Sequence, residues 1–334
     1  MRKEENAMRV LITGAAGFVG TQLVRSLLQR KEILGNPLKE MVLADLVSPA
    51  ADVARASCVR PLVGPLIENC PALAREQFDV VFHLAGAVSG ECEADFELGL
   101  RSNLDSCRAL LEALRAAANR PRFIFASSVA VFGGDSGIPL PSVIRDNTLP
   151  IPQSSYGIQK LICEQLVADY TRKGFIDGRC GRLMTVAVRS GKPNGAASGF
   201  LSAIVREPLN SKDTVCPVPL EMTVALASPS NTINALITLA EADSEALGGR
   251  TAINFPPLTV KVGEILNALE AIGGRVARAR VRFKPDPAII RIVGSWPSVF
   301  ECNRASNLGI RPDTDMDSII RQFISEPGAV HVGA

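Results

Sequence analysis

Met8-Arg-Val-Leu-Ile-Thr13, followed at once by Gly14-Ala-Ala-Gly17-Phe18-Val19-Gly20, decides how this chain is read. A short apolar run that ends in a glycine turn and opens a helix is a strand, a turn and a helix N-terminus suited to a dinucleotide pyrophosphate. Gly14 makes the tight turn, Gly17 lets backbone approach phosphate, and Gly20 lets the helix pack against the sheet. Phe18 and Val19 lie in the same helical start. A second apolar run, Met41-Val-Leu-Ala-Asp45, ends in an acid roughly 20 residues past the glycines, where a carboxylate accepts hydrogen bonds from an adenosine ribose. A carboxylate also repels a 2′-phosphate, and Leu46-Val-Ser-Pro offers no arginine to receive one, so NAD is expected over NADP.

Working outward, apolar strands at 9–13, 41–44, 80–85, 122–127 and 185–189 alternate with helices at 17–29, 96–118 and 155–173. Near-continuous apolar strands between helices imply an α/β fold, a doubly wound parallel sheet of Rossmann type with its ligands at the carboxyl ends of the strands. Past residue 189 the rhythm breaks at proline- and glycine-rich stretches, with helices again near 230–242, 262–272 and 316–324. The expected organisation is a dinucleotide-binding domain over 8–189, also receiving about 224–258. A smaller mixed α/β substrate lobe takes 190–223 and 259–328, and the run 251–255 returns to the main sheet.

Composition bounds the function. With 334 residues, 47% of them hydrophobic, and a formal charge of +2, the chain has ample core and no electrostatic footprint for nucleic acid or a membrane surface. The first seven residues are polar and no apolar run approaches the ~20 residues of a membrane span. Eight cysteines form no CxxC pair and only His83 and His331 supply imidazole, so no metal site and a cytoplasmic setting are expected.

Tyr156-Gly-Ile-Gln-Lys160 places a phenol and an ammonium one turn apart on one helical face. A free phenol, with a pKa of about 10, is a weak base at neutral pH, and an adjacent ammonium favours its ionised form. Lysine is equally suited to hold ribose hydroxyls. Ser127-Ser128 ends the strand at 122–127. A hydroxyl there either orients a substrate oxygen toward the phenolate or caps the following turn. Asn103 sits mid-helix, where an amide is locally unfavourable. It either anchors a water that relays protons behind the lysine or is a polar residue on a half-exposed face. His83-Leu84-Ala85-Gly86 ends a further strand, and its small residues let a cofactor pass. His83 itself reads as a core histidine, which leaves Ser-His and Cys-His nucleophile schemes without support.

Together, TGAAGFVG, Asp45, HLAG, SSVAVFGG and Tyr156-x-x-x-Lys160 resemble the extended short-chain dehydrogenase/reductase superfamily, which holds nucleotide-sugar epimerases and dehydratases. The stretches 88–99, Arg189-Ser-Gly-Lys-Pro-Asn194, 196–199, 204–209 and 308–321 are similar to the D-erythronate dehydrogenase family within it. That resemblance implies NAD-dependent oxidation of the C2 hydroxyl of a four-carbon sugar acid, D-erythronate giving 2-oxo-tetronate. Tyr156 would be the base, Lys160 its partner and Ser128 the hydroxyl on the substrate. Arg189 and Lys192 are the cations available to an acid substrate, with Ser89, Glu91 and Asn194 for its hydroxyls; Arg189 fits a salt bridge between lobes as well. Three departures stand out: Ser190 replaces a usual proline, Phe132 a tyrosine, and Val63-Gly-Pro65 lacks the aspartate that normally meets the adenine amino group. Two alternatives remain: an epimerase or dehydratase that keeps and recycles its NAD, and an NAD-sensing module without chemistry. Apolar faces on the helices at 96–118 and 155–173 suit pairing into a homodimer.

Overall fold

The structure, a computed structural model, describes residues 7–191 and 195–326. Its main sheet uses β1 (Met8–Thr13), β2 (Asn36–Asp45), β3 (Val59–Val63), β4 (Val80–His83), β5 (Arg122–Ser128) and β6 (Asp177–Leu183). The chain then adds β7 (Thr185–Val186), β8 (Thr223–Ala227), β9 (Ile253–Asn254) and β10 (Leu258–Lys261). Seven strands run parallel in the order β3-β2-β1-β4-β5-β6-β9, and Glu32–Ile33 forms an antiparallel edge hairpin with β2. Strand order reverses between β1 and β4, and a doubly wound sheet opens its ligand crevice at such a point. Register puts Thr13 beside both Ala44 and His83, and Ser128 beside Leu183. The carboxyl ends therefore line up along one edge.

Two expectations need correction. The sixth main-sheet strand is β6, not 185–189; Thr185–Val186 instead pairs with β8 in a separate sheet that includes β10. Asp-Gly-Arg-Cys-Gly-Arg-Leu lacks an apolar run, yet five of its seven residues are buried. Its two guanidiniums are buried because they are bonded: Arg179 donates to the carbonyls of Leu239, Ala240 and Ala242, and Arg182 to Glu164. Polar groups enter a core when their hydrogen bonds are met there. The helix expected at 96–118 is also interrupted. α-Helical turns at Phe96–Gly99 and Ser106–Ala117 flank a π-helical segment, Leu100–Asp105, which carries Asn103. The return of 251–255 to the sheet is seen in β9, and β3 pairs in regular register with β2 from Val59 to Val63.

Helix α1 (Phe18–Arg30) and helix α2 (Pro229–Glu241) pack on one face of the sheet, where Leu23, Leu27, Leu236 and Leu239 join Val10 and Ile12 in one buried cluster. A second cluster joins Val188, Ile204, Leu226, Ile265 and Phe323 behind the small sheet. The cleft lies between these two bodies of apolar packing.

Candidate active site

The glycine turn is built by close approach. Gly14 has φ of +71°, and a Cβ on it would stand 2.6 Å from the backbone nitrogen of Ala85. A Cβ on Gly20 would stand 2.1 Å from the Gly14 carbonyl oxygen, so α1 is pressed directly onto the turn. Gly17 caps α1 with no side-chain hydrogen bond, and the first turn holds no acid. Its backbone N–H groups and the positive end of its dipole thus face the cleft unclaimed. Asp45, at the end of β2, accepts the Ala16 N–H at 2.9 Å, which sets its carboxylate beside this turn. These features fit a dinucleotide: bare N–H groups for the pyrophosphate, an acid for the ribose, and Leu84 and Gly86 along the wall.

His83 behaves as a core residue. Thr13 Oγ1 accepts the Ala85 N–H at 3.3 Å and shares a hydrogen bond of 2.7 Å with His83 Nδ1, while Nε2 is buried without a partner among the described residues. Burial, with a smaller contribution from Lys160, pushes the imidazole pKa down to about 3.

A cleft of about 270 Å³ is lined by Ser128, Tyr156, Lys160, Gly86, Arg189 and Trp296, among others. Tyr156 rides on the first turn of helix α3 (Ser155–Arg172), whose N-cap, Ser154, accepts the Gly157 N–H at 3.1 Å. A Cβ on Gly157 would lie 2.1 Å from the Ala130 carbonyl oxygen, so only glycine lets this turn approach the loop after Ser128. Lys160 is buried, donates to the Ala126 carbonyl at 2.9 Å, and sits 5.6 Å from the centre of the Tyr156 ring. Ser128 Oγ accepts the Ala130 N–H at 3.1 Å while lining the cleft, so its own proton remains available to a ligand oxygen. Capping and substrate contact are therefore compatible at Ser128. Ser127 caps nothing and instead donates to Glu164.

Asn103 is 3% exposed, which removes the half-exposed reading. Its Nδ2 donates to Gln159 Oε1 at 2.7 Å and to the Ala87 carbonyl at 3.3 Å, while Oδ1 is buried without a partner. A Cβ on Gly86 would lie 2.5 Å from that oxygen and 3.7 Å from Lys160 Nζ. Glycine at 86 thus keeps the space between amide and ammonium open.

The acid-binding candidates divide. Arg189 lines the cleft, and no carboxylate pairs with it among the described residues. Burial and the nearby Arg206 charge hold its guanidinium below the usual arginine range. Its N–H donates to Ser202 Oγ at 3.1 Å and its carbonyl accepts from Arg206 Nη1 at 2.8 Å. Ser89 lines the cleft and accepts the Ala197 N–H at 3.3 Å. Glu91 is not brought into the cleft: it is exposed and turned back to cap its own helix, accepting the Val88 N–H at 3.0 Å. Lys192 and Asn194 lie outside the described residues. Sequence reasoning missed Met184, Thr185 and Trp296 as lining residues. The first two follow β6, the strand whose charges hid it, and the sole tryptophan had no periodic context.

This arrangement defines a Rossmann-fold oxidoreductase, with a dinucleotide cradle opening onto a phenol, an ammonium and a serine. The chain belongs to the NAD dependent epimerase/dehydratase family, whose sequence profile matches residues 10–248. It is 45% identical to a D-erythronate dehydrogenase of Cupriavidus necator over 330 residues, covering 96% of this chain and 99% of that protein. A D-erythronate dehydrogenase of Haemophilus influenzae is 39% identical over 320 residues, 95% and 99% of the two chains. Among solved structures, one titled a nucleoside-diphosphate-sugar epimerase from Agrobacterium tumefaciens superposes with a TM-score of 0.86 at 40% identity, over 97% and 95% of the chains. The protein is an NAD-dependent enzyme of this family, as its sequence led one to expect. Among the described residues no helix is long and apolar enough to cross a membrane.

Proposed function

We propose that the protein oxidises the C2 hydroxyl of a four-carbon sugar acid, D-erythronate giving 2-oxo-tetronate. The observation that carries this reading is the Arg189 guanidinium, which meets no carboxylate among the described residues, in the same cleft as Tyr156 and Ser128. A half-buried cation without a counter-ion is unfavourable on its own and suits a ligand carboxylate, which a guanidinium can grip with two hydrogen bonds. The relatives named D-erythronate dehydrogenase support the same reading, whereas the structural relative titled an epimerase supports the alternative. A sugar nucleotide would be held chiefly through its diphosphate and base rather than through a single carboxylate.

Gly14, Gly17, Phe18, Val19 and Gly20 hold the pyrophosphate end of NAD and Asp45 its adenosine ribose, with Leu84, Ala85 and Gly86 alongside. When bound, NAD supplies a two-electron hydride acceptor. Ser128 donates its hydroxyl proton to the substrate C2 oxygen and orients it. Tyr156, beside Lys160, takes the proton of that hydroxyl as the C2 hydrogen leaves with its electron pair. Lys160 is held by the Ala126 carbonyl and would also bind the nicotinamide ribose hydroxyls. Asn103, through a water at its Oδ1, would relay the proton taken by Tyr156 away behind the lysine. Arg189, with Lys192, binds the carboxylate, and Ser89 and Asn194 bind the remaining hydroxyls.

The test is direct: protein, NAD and D-erythronate should give a steady rise in reduced-nicotinamide absorbance. No rise with any four-carbon sugar acid, together with turnover of a UDP-hexose without net reduction, would establish the epimerase instead. Tyr156→Phe should abolish turnover and leave NAD affinity nearly unchanged. The reading extends to a cytoplasmic homodimer: all eight cysteines are free thiols, and Phe96, Ile158 and Ile162 leave apolar surface on the two pairing helices. Sedimentation tests the dimer.

A further inference from the structure

Running back from the cleft wall, where Ser127 lies beside Ser128, is a buried polar network centred on Glu164. Its Oε1 accepts the Ser127 hydroxyl at 2.5 Å and Arg182 Nε at 2.9 Å, and its Oε2 accepts Arg182 Nη2 at 2.7 Å. Arg182 Nη1 reaches on to Asn254 Oδ1 at 3.2 Å, and its guanidinium lies 4.8 Å from the centre of the Phe132 ring. Glu164 is 2% exposed, Arg182 5% and Ser127 2%.

Stability alone does not account for such a pair. Removing two charges from water costs several kcal/mol per ion, and apolar replacements of equal volume are often as stable or more so. What the network does achieve is geometric. Glu164 stands one turn beyond Lys160 on α3, on the same helical face. Three consecutive residues of β5, all in the cleft wall, are bonded differently: Ala126 holds Lys160, the Ser127 hydroxyl is given to Glu164, and Ser128 accepts the Ala130 N–H and keeps its own proton. Two adjacent cross-bonds fix both the height and the rotation of α3 against β5. Arg182 extends the same carboxylate to β6, two and three residues before Met184 and Thr185 in the cleft wall.

We propose that Glu164, acting through Ser127 and Arg182, is a positioning residue that sets the Tyr156–Lys160 pair against Ser128. The proposal rests on the reading of Tyr156 as the base. The groups that face Glu164 are Arg182 and Cys180 from β6, Ser127 from β5 and Cys163 from its own helix. Of the charged groups among these, only Arg182 bonds the carboxylate directly. A shift of about 1 Å in a reacting group can lower turnover on the order of 100-fold, so loss of one cross-bond should be visible in kcat.

Ser127→Ala is the primary test, because it deletes one bond and leaves the Glu164–Arg182 pair whole. It should lower kcat about 10-fold or more with little change in the KM for NAD. The acid limb of the kcat–pH profile should move to higher pH, since a displaced ammonium favours the phenolate less. Ser127→Thr, which keeps the hydroxyl, should recover most of the rate and the original profile. Glu164→Asp, which keeps the charge but draws it back, should show the same profile shift as Ser127→Ala. An unshifted pH profile and unchanged kcat in folded Ser127→Ala overturn the proposal, as does a fall in Tm alone. Activity retained by Tyr156→Phe would instead overturn the reading of the base, which separates the two failures.

Discussion

Replacing Arg189 with methionine should separate function from stability in opposite directions. The guanidinium lines the cleft without a carboxylate partner among the described residues, and both burial and Arg206 disfavour its charge. Removing that charge takes away an uncompensated cation from the folded state, so Tm should stay level or rise. The substrate loses its counter-ion. Hydrogen bonds to a charged partner contribute about 1.5–3 kcal/mol each, and with about 1.36 kcal/mol per tenfold in rate this predicts a fall in kcat/KM of roughly 10-fold or more if one bond is lost and about 150-fold or more if both are. The loss should fall mainly on the KM for D-erythronate, because carboxylate binding is alike in ground and transition states. Arg189→Lys keeps the charge but not the two-pronged geometry and should lie between. Initial rates of NADH formation, thermal unfolding and NAD titration by fluorescence measure all three quantities. An unchanged KM for the sugar acid, with weakened NAD binding, would refute the assignment and place Arg189 on the cofactor.

Three further perturbations probe the cradle and its surroundings. Asp45→Asn preserves an acceptor for the Ala16 N–H while removing the charge, so the preference for NAD over NADP should narrow; an unchanged ratio of affinities removes Asp45 from ribose recognition. Gly20→Ala drives a Cβ into the backbone of Gly14 and Ala15, and should lose NAD affinity along with about 1–3 kcal/mol of stability in denaturant melts. His83 titrates near 3 in the folded state and near 6.5 unfolded, so below pH 6.5 the unfolded chain takes up the proton first and stability is lost as pH falls toward 3. By pH 5 this amounts to about 2 kcal/mol, and His83→Gln should flatten the decline between pH 7 and 5. Identical slopes in the two proteins would contradict it.

How much of this was legible beforehand follows from what local sequence encodes. The strand-turn-helix at 8–20, the acid at 45 and the pairing of Tyr156 with Lys160 depend on glycine steric freedom, apolar runs and helical spacing. Each is a property of a few adjacent residues, and each is readable without a fold. β6 was not readable, because its two arginines look like surface until Glu164, Asn254 and the carbonyls at the end of α2 are brought to meet them. Glu91, which the family resemblance set on a substrate hydroxyl, caps its own helix, a choice that only helix geometry reveals.

The sequence by itself therefore determined the glycine turn, the acid that ends the second strand and the one-turn spacing of Tyr156 and Lys160, since these follow from short-range sterics and side-chain chemistry. Tertiary structure alone decided that Ser127 bonds Glu164 while Ser128 keeps its proton for the cleft, and that Arg189 meets no carboxylate among the described residues. The physical reason is that partners distant in sequence, here 37 residues apart for Ser127 and Glu164, set the local dielectric and complete or withhold each hydrogen bond.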